Sequence, residues 1–432
     1  MFHMGWFLST GFGVYDWKGP WSGNIRADIG NPELFLETAA ALERAGFDYM
    51  MLEDSSVLPD IYQGSYAHSL KNAVVRYDPL PLVSLIARHT EHIGVIATMA
   101  TSFYPPFLAA RLMSSLDHLT HGRVGVNLVT ASPHAAAQNY GLDEHIEHDL
   151  RYAMADEWMQ VVSRLWESWE PDALGTDENR TVYVDHTRVH PIHYEGRFHR
   201  SRGPLNTLPG PQRRPVVCQA GGSPAGRELA AEHADTIVSA VVGVEAMRAY
   251  REDISARMVA HGRDPHDVKV LFLVDPILAE SNAEAQAIAQ RRREAAASDV
   301  EGALAGMSYV SGLDFSQFDL DAPFPEVLSR TNGHQSTVAD YQKAGEDKTL
   351  REVALTRSVK DSIPLVGTPA SVADQMAEAM EYAGGDGFLI ASAVTRRNVS
   401  AIADGLAPEL RRRDLIRSSY DYGTFRENLL SF

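Results

Sequence analysis

Short apolar runs alternate with amphipathic stretches along most of the chain. The apolar runs are five to ten residues long, rich in Val, Ile, Leu, Phe and Met, and predict strands. They lie at residues 2–9, 47–52, 93–97, 124–129, 215–219, 235–242, 269–278 and 387–392. Helical spacing of apolar residues, often after Pro or a polar cap, predicts helices at residues 32–46, 79–89, 105–119, 147–168, 224–233, 244–261, 368–383 and 398–413.

Eight repeats of strand then helix predict parallel strands joined by right-handed crossovers, which close into a (β/α)8 TIM barrel. The alternative is an open doubly wound sheet, which usually carries a glycine-rich dinucleotide turn after its first strand. Gly11 and Gly13 begin such a turn, but Asp16 stands where the third glycine belongs. The barrel is therefore favoured.

Two segments interrupt the alternation, and we expect a single domain over residues 1–432 that contains them as insertions. Residues 167–214 lack a helical period and predict an extended excursion, with a hairpin around RTVYV and GRFHR. Residues 283–360 begin with a helix and continue as a loop-like stretch. Long insertions on a barrel are candidates for a lid over its active site.

Composition narrows the classes of partner. The 432 residues carry 39 basic and 57 acidic side chains, a net charge of −18, which disfavours nucleic acids and anionic membranes as partners. One cysteine, Cys218, excludes an internal disulfide and a cysteine-based metal site, and its apolar strand predicts a buried thiol. Without a signal-like segment or an apolar run near the ~18 residues of a membrane span, we expect a cytoplasmic protein.

Active sites of such barrels lie at the carboxyl ends of the strands. Polar residues stand there in this chain, and the fourth helix adds two aromatic polar side chains that lie four residues apart on one face. The set contains neutral hydrogen-bonding groups and few charges, without the paired carboxylates of a glycosidase. Its members are Asp54, Thr101, Asn127, Thr130, His148, Tyr152, Gly221, Gly222 and Ser223.

Each of these residues also has a structural interpretation. Asp54 can cap a turn, Thr101 can fill a barrel layer, and His148 with Tyr152 can lie on an ordinary helix surface. His145 and His148 have a spacing seen in metal sites, but no third ligand stands out, so no metal is predicted. Aromatic residues near the ends of the first and third strands can serve packing or an apolar pocket; they are Trp6, Phe12, Tyr15, Trp17, Trp21, Phe103 and Tyr104.

The stretch Gly221-Gly222-Ser223 precedes a helix and has the strongest functional reading. Free backbone N–H groups, a Ser cap and the helix dipole favour an anion such as phosphate. Barrels often bind phosphate after strands 7 and 8, whereas this turn follows strand 5. Ala225 stands where the nucleophile elbow of a hydrolase has its second glycine, so a hydrolase is disfavoured.

Long blocks of the chain resemble the two-component flavin monooxygenases of the bacterial luciferase-like superfamily, in the branch of nitrilotriacetate, dibenzothiophene sulfone and long-chain alkane monooxygenases. The blocks include ATMATSFYPPFLAARL to NLVTAS, EHDLRYAMADEWMQVVSRLWESWEPDA, VHPIHYEGRFHRSRGPLN, PVVCQAGGSPAGRELAAEHAD and YDYGTFRENL. The resemblance runs over almost the whole chain and is weakest in residues 283–360.

This resemblance implies a (β/α)8 barrel that binds FMN as FMNH2, supplied by a separate NAD(P)H-dependent flavin reductase. By motif position, Asp54, Thr101, His148, Tyr152 and Ser223 would contact the flavin. The Gly221-Gly222 turn with Ser223 would take the phosphate, and Asn127 and Thr130 would border the ring. It also implies a homodimer or homotetramer.

The chemistry implied is activation of O2 as a C4a-(hydro)peroxyflavin, kept in a dry cavity so that it oxygenates a small amine, sulfone, sulfide or alkane-like substrate. His148 would orient the flavin or donate a proton, and orientation is favoured because His148 lies near the phosphate end. An F420-dependent oxidoreductase of the same superfamily and a non-catalytic flavin-binding barrel are the alternatives.

Overall fold

The computed structural model describes the chain except residues 10–11, 15, 20–21, 73, 175–181, 325–331 and 357–360. Eight parallel strands close into a barrel, which confirms the predicted architecture. They follow one another around the barrel in chain order, and the last pairs with the first. These strands, β1 to β8, are His3–Leu8, Tyr49–Leu52, Gly94–Ala100, Val124–Val129, Val216–Gln219, Thr236–Ser239, Lys269–Val274 and Gly387–Ile390.

The helices surround the barrel and fill its insertions. Several begin where the sequence predicts: Asn31, Ser223 and Thr368 each cap a helix with the side-chain oxygen, and Pro follows at the first helical position. A π-helical stretch, Ala401–Leu406, joins two of the segments. In chain order, α1 to α16 are Pro32–Arg44, Ala67–Lys71, Leu80–His89, Pro106–Leu119, His134–Asn139, His148–Trp166, Pro224–His233, Val244–Ala260, Asn282–Ser298, Val300–Ser311, Gln335–Ala344, Leu350–Thr356, Pro369–Ala383, Arg396–Ser400, Ala407–Arg412 and Phe425–Leu430.

Alternate residues of each barrel strand point inward and form a core separate from the layer between strands and helices. The C-terminal helix α16 closes one end of this interior, because Phe425 packs inside it. Gly94, the first residue of β3, makes room for Phe425: a Cβ there would lie 2.5 Å from the ring. The plug therefore occupies the amino-terminal end of the strands, and the carboxyl end remains for a ligand.

The prediction that the seventh strand reaches residue 278 is wrong. Strand β7 ends at Val274, and Ile277–Leu278 pairs instead with Val366–Gly367 outside the barrel. Pro276 has no N–H to continue the ladder, and the Asp275 N–H is bound by the Asp361 carboxylate at 2.7 Å. The chain thus leaves the barrel at this pair of residues.

The first insertion contains a hairpin, but only one of the two predicted segments contributes to it. Tyr194–Glu195 pairs antiparallel with Arg200–Ser201, and GRFHR forms the turn and returning strand. RTVYV is not its partner: Val184 forms an isolated bridge with Leu174, and residues 180–181 lie outside the described residues. The Glu157 carboxylate on α6 accepts the backbone N–H groups of residues 197–199 at 2.7–3.0 Å and fixes the hairpin to that helix.

The second insertion is helical well beyond its first helix, so the prediction of a loop-like remainder is wrong. Helices α10, α11 and α12 pack on one another and bury a small apolar cluster of their own. The cluster comprises Leu304, Met307, Phe315, Val338, Tyr341, Leu350, Val353 and Ala354. Because each helix is short and contributes two or three residues, no single window shows a strong helical period.

Within the described residues, no helix is both long enough and apolar enough to cross a membrane.

Candidate active site

Asn127 of β4 and Thr98 of β3 occupy paired inward positions near the carboxyl end of the barrel. The Asn127 amide nitrogen donates to the Thr98 hydroxyl at 3.0 Å, and both side chains are buried. The amide oxygen of Asn127 is buried and has no hydrogen-bond partner among the described residues. Since the Thr98 hydroxyl can donate or accept, rotating the amide would leave an unpartnered N–H instead. Either way, one polar group of Asn127 remains available to a ligand.

Sulfur atoms lie in the same part of the interior. Cys218 of β5 pairs in register with Asn127, and its thiol contacts the Met51 sulfur at 3.7 Å. Burial raises the pKa of the Cys218 thiol, which therefore stays protonated. The prediction of a buried core thiol is confirmed, and the interior beneath Asn127 is apolar.

Thr101 and Thr130 follow β3 and β4 and are both buried. The Thr101 hydroxyl donates to the Val129 carbonyl at 3.3 Å, and the Ser102 hydroxyl donates to the Thr130 carbonyl at 3.0 Å. These bonds tie the two strand ends together. Thr101 therefore already has a structural partner. Ala131, which follows Thr130, takes a left-handed φ of 54° as the chain turns away.

Asp54 follows β2 and is half-buried. Burial, reinforced by the neighbouring Asp78 carboxylate, raises its pKa above the ordinary aspartate range. The next two residues bind other segments: the Ser55 hydroxyl lies 2.8 Å from Tyr309 of the second insertion, and Ser56 lies 3.0 Å from Tyr140. Asp54 thus stands where the second insertion meets the barrel.

Helix α6 begins at His148, one residue after the predicted start, and the Glu147 carboxylate caps its first N–H groups. The rings of His148 and Tyr152 lie on the same face with centroids 5.0 Å apart. The side chain of His148 is only 13% exposed, and its Nδ1 lies 2.7 Å from the Asp149 carboxylate. That contact holds the imidazole in one orientation.

The turn Gly221-Gly222-Ser223 meets the same face of α6. The Ser223 hydroxyl accepts the Gly226 N–H at 3.1 Å and caps α7. A Cβ placed on Gly226 would lie 3.1 Å from the Tyr152 hydroxyl and 2.9 Å from the Cα of Gly221. No residue larger than glycine fits there without a shift of these neighbours. The structure therefore brings Tyr152 and the glycine turn together.

Two residues that the sequence interpretation missed support this turn. Tyr250 is buried and donates its hydroxyl to the Gly221 carbonyl at 3.2 Å. Arg227, in the first turn of α7, donates to the Gly222 carbonyl at 3.1 Å and to Asp253 at 3.0 Å. The Arg227 guanidinium, paired with Asp253, therefore lies beside the N-terminus of α7, where the helix dipole favours an anion. The signal available in the sequence was an arginine four residues after the cap.

His145 was considered only as a metal ligand, yet it lies in the wall of the site. Its ring is buried and stacks on Phe103 with centroids 5.6 Å apart. Burial, then the charges of Arg151 and His134, lowers the pKa of His145 to about 4. The imidazole is therefore neutral at physiological pH.

The candidate aromatic residues separate into two groups. Phe103 lies in the wall of the site, between His145 and Tyr140. Trp6 and Phe12 pack in the layer between strands and helices, Phe12 against Phe35 at 4.9 Å. Tyr15 and Trp21 lie outside the described residues.

In the described part of the chain, one group of side chains has the composition of a metal site: Asp156, Glu232 and His233. The His233 Nε2 lies 2.7 Å from the Asp156 carboxylate. This pair joins α6 to the far end of α7 from Ser223, so it stabilises the packing of the two helices and is separate from the glycine turn.

Comparison with known proteins agrees with this geometry. Residues 2–387 match the model of the luciferase-like monooxygenase family. The chain is 36% identical to dimethyl-sulfide monooxygenase of Hyphomicrobium sulfonivorans, over 96% of this chain and 86% of that protein. It is 33% identical to nitrilotriacetate monooxygenase component A of Aminobacter aminovorans, over 98% and 94%.

A solved structure of riboflavin lyase with modified FMN and riboflavin superposes with a TM-score of 0.88 at 31% identity, covering 100% of this chain and 96% of that one. Matches to dibenzothiophene-sulfone and long-chain alkane monooxygenases confirm the branch that the sequence motifs resemble. The chain therefore belongs to the luciferase-like monooxygenase family, in a branch whose named members are flavin-dependent monooxygenases.

Proposed function

We propose that this protein is the oxygenase component of a two-component, FMNH2-dependent monooxygenase. Overall, a small organic substrate, O2 and FMNH2 would give the oxygenated substrate, FMN and water. This proposal rests above all on the amide oxygen of Asn127, which is buried inside the carboxyl end of the barrel without a hydrogen-bond partner in the described part of the chain. An unsatisfied buried polar group costs stability, so its presence indicates a ligand group that completes it.

The residues present fit FMN at both of its ends. The polar edge of the flavin ring offers alternating N–H and C=O groups, which match the free amide of Asn127 whichever way that amide is turned. The anion site at Ser223, with Tyr152 and Arg227 beside it, suits the phosphate. Strands β4 and β5 are neighbours, so the polar groups that follow them share one rim of the barrel.

When bound, reduced FMN would supply the activation of O2, and the residues of the chain would provide a dry, oriented site. Asn127, Thr101 and Thr130 would border the ring without adding a full charge. His148 would orient the flavin, because Asp149 fixes its ring and Tyr152 connects it to the phosphate turn.

The second insertion would exclude water from this site. Tyr309 of α10 binds Ser55, next to Asp54. Arg151 of α6, which is 1% exposed, binds the Ile146 carbonyl at 2.6 Å and the Asn332 amide oxygen at 3.1 Å. The insertion is thus attached on two sides of the barrel opening, which is how a lid must be held to keep bulk water away.

We further propose an NAD(P)H-dependent flavin reductase as partner and a homo-oligomer as the working form. The relative named as component A supports a division of labour between two proteins. Light scattering of the purified protein tests the oligomer. To test the division of labour, activity is measured with and without an added reductase. We expect activity to require the reductase, and free photoreduced FMNH2 to substitute for it.

Anaerobic titration with FMN and with photoreduced FMNH2, followed by rapid mixing with oxygenated buffer, tests the function. We expect FMNH2 to bind more tightly than FMN, and a transient absorbance that free flavin does not give under the same conditions. Failure of both flavin forms to bind would contradict the proposal and make F420 the next cofactor to titrate.

A further inference from the structure

A cavity of about 500 Å³ lies between the second insertion and two loops at the carboxyl end of the barrel. Residues 60–61 form one side, residues 132–135 and 138 a second, and residues 309–313 with 332–333 the roof. Its size is that of a pocket for a small organic ligand. None of the residues predicted to hold the flavin lines it.

The cavity is nevertheless adjacent to those residues. Ser132 in its wall follows Thr130 by two positions, and Tyr309 in its roof is hydrogen-bonded to Ser55, the neighbour of Asp54. A substrate held there would lie against the flavin side of the barrel opening. This position suits the cavity to hold the substrate next to the proposed flavin site.

The roof is fixed rather than loosely placed. Asn332 donates its amide N–H to the Ile146 carbonyl at 3.0 Å and accepts from Arg151 at 3.1 Å. The Arg151 guanidinium is therefore occupied by its hydrogen bond to Asn332 of the roof, and Arg151 does not line the cavity. A preformed chamber of this kind selects its ligand by shape and charge.

The charges of the lining decide which ligand is suited. Asp60, His134 and Tyr309 are the titratable side chains among the described residues of the lining, and that lining contains neither lysine nor arginine. A polycarboxylate would face Asp60 without a cation to pair with, at a cost that rises as water is excluded. The chamber thus disfavours polyanionic substrates.

The rest of the lining favours an apolar body with one polar end. Ile61, Val310 and Leu313 supply aliphatic surface. The Nδ1 of His134 accepts the backbone N–H of His145 at 3.2 Å, so a neutral His134 ring carries its proton on Nε2 as a hydrogen-bond donor.

We propose that this chamber binds an uncharged organic substrate that has an apolar body and a hydrogen-bond acceptor, a class that includes neutral sulfides and sulfones. The inference rests on the proposed function, which supplies the oxygen atom. It separates this protein from relatives that act on polycarboxylates.

The test supplies photoreduced FMNH2 and O2 and measures oxygenated product by mass spectrometry. Dimethyl sulfide and dibenzothiophene sulfone represent the neutral class, and nitrilotriacetate represents the polycarboxylates. We expect product from the neutral class and none from nitrilotriacetate. Product from nitrilotriacetate, or no product from either neutral compound while FMNH2 binds normally, would overturn the inference. Loss of FMNH2 binding itself would instead contradict the proposed function.

A cavity-filling variant locates the substrate. Val310→Trp should lower product formation about tenfold or more at a fixed substrate concentration, with FMNH2 affinity within about twofold of the parent. Val259→Trp, at a position 63% exposed on α8, is the matched control and should leave both quantities unchanged. Equal product formation by the two variants would show that the substrate binds elsewhere.

Discussion

The rim of the barrel and the insertion above it are held together in different ways. Rim residues such as Asn127 and Thr98 belong to strands whose hydrogen bonds run around a closed barrel, with apolar side chains packed on both faces. Helices α10 to α12 bury a small cluster of their own, against which Tyr62 packs. The second insertion is further joined to the barrel by polar contacts, among them Tyr309 with Ser55 and Asn332 with Arg151.

This difference matches the two tasks of the proposed enzyme. A flavin ring must be held within a fraction of an ångström, which a closed barrel can do because its strands have no free edge. A substrate must enter and leave, which is easier through a unit attached by a small number of separable contacts. In this proposal the rigid barrel holds the cofactor, and the separable insertion covers the substrate.

The largest expected effect is on the rigid side. Asn127→Leu keeps the branched shape of the side chain but removes the buried amide, and we expect a rise in the FMNH2 dissociation constant of roughly ten- to hundredfold, since an unsatisfied buried partner costs about 1–3 kcal/mol. Anaerobic fluorescence titration measures it. Thr98→Val is the companion variant, with a smaller expected loss. Unchanged affinity in Asn127→Leu would remove Asn127 from the flavin site.

The attachment of the insertion is broken by Arg151→Met. The Ile146 carbonyl and the Asn332 amide lose their shared donor, so the insertion should open more often. We expect faster proteolysis within residues 299–356, and at least about twofold more peroxide released per product formed. Arg248→Met removes an exposed arginine that pairs with Glu252, and serves as control. Parent-like proteolysis in Arg151→Met would mean that this arginine does not hold the lid.

The anion end is tested by comparing two flavins. Ser223→Ala should weaken FMN by roughly three- to tenfold while leaving riboflavin, which lacks the phosphate, nearly unaffected. It also removes a helix cap, worth about 1 kcal/mol of stability. Thr368→Ala removes an equivalent cap from α13, outside the site, and controls for that loss. Equal weakening of both flavins would place the phosphate elsewhere.

The smallest effect at neutral pH concerns His145. Its folded pKa of about 4 lies below the ordinary 6.5, so the unfolded chain takes up a proton first as the pH falls. The stability contributed by the neutral ring is present above pH 6.5 and is lost as the pH falls toward 4. Thermal unfolding across that range should show a shallower pH dependence for His145→Phe than for the parent protein. A slope identical in both would assign the acid sensitivity to other groups.

The barrel could be predicted from the sequence because its signals are local and repeated. Each strand is a short apolar run, and several helix starts carry their own cap, as those at Asn31 and Ser223 do. Residues at strand ends, including Asn127, were found by the same reasoning, because the topology alone brings the carboxyl ends together. Their assignment to a flavin came from resemblance and remains a prediction.

What could not be predicted depends on contacts between distant segments. The insertion helices are short, and their apolar residues meet only in the fold, so their pattern imitates a loop. Arg151 and Tyr250 look like ordinary helix residues until Asn332 and Gly221 are seen against them. Pro276 marks the end of β7 in the sequence, but the apolar residues Ile277 and Leu278 that follow it make the strand look longer than it is.

The plug at the amino-terminal end of the barrel has a consequence for the order of folding. Phe425 fills the interior that β2, β3 and β5 enclose, and Arg417 reaches Asp48, which in turn binds His3 at 2.9 Å. Arg417 and Asp48 are separated by 369 residues, and the ribosome delivers the plug after all eight strands. During synthesis the barrel strands therefore emerge before the helix that covers one end of their core, so that end stays exposed until the last residues are made.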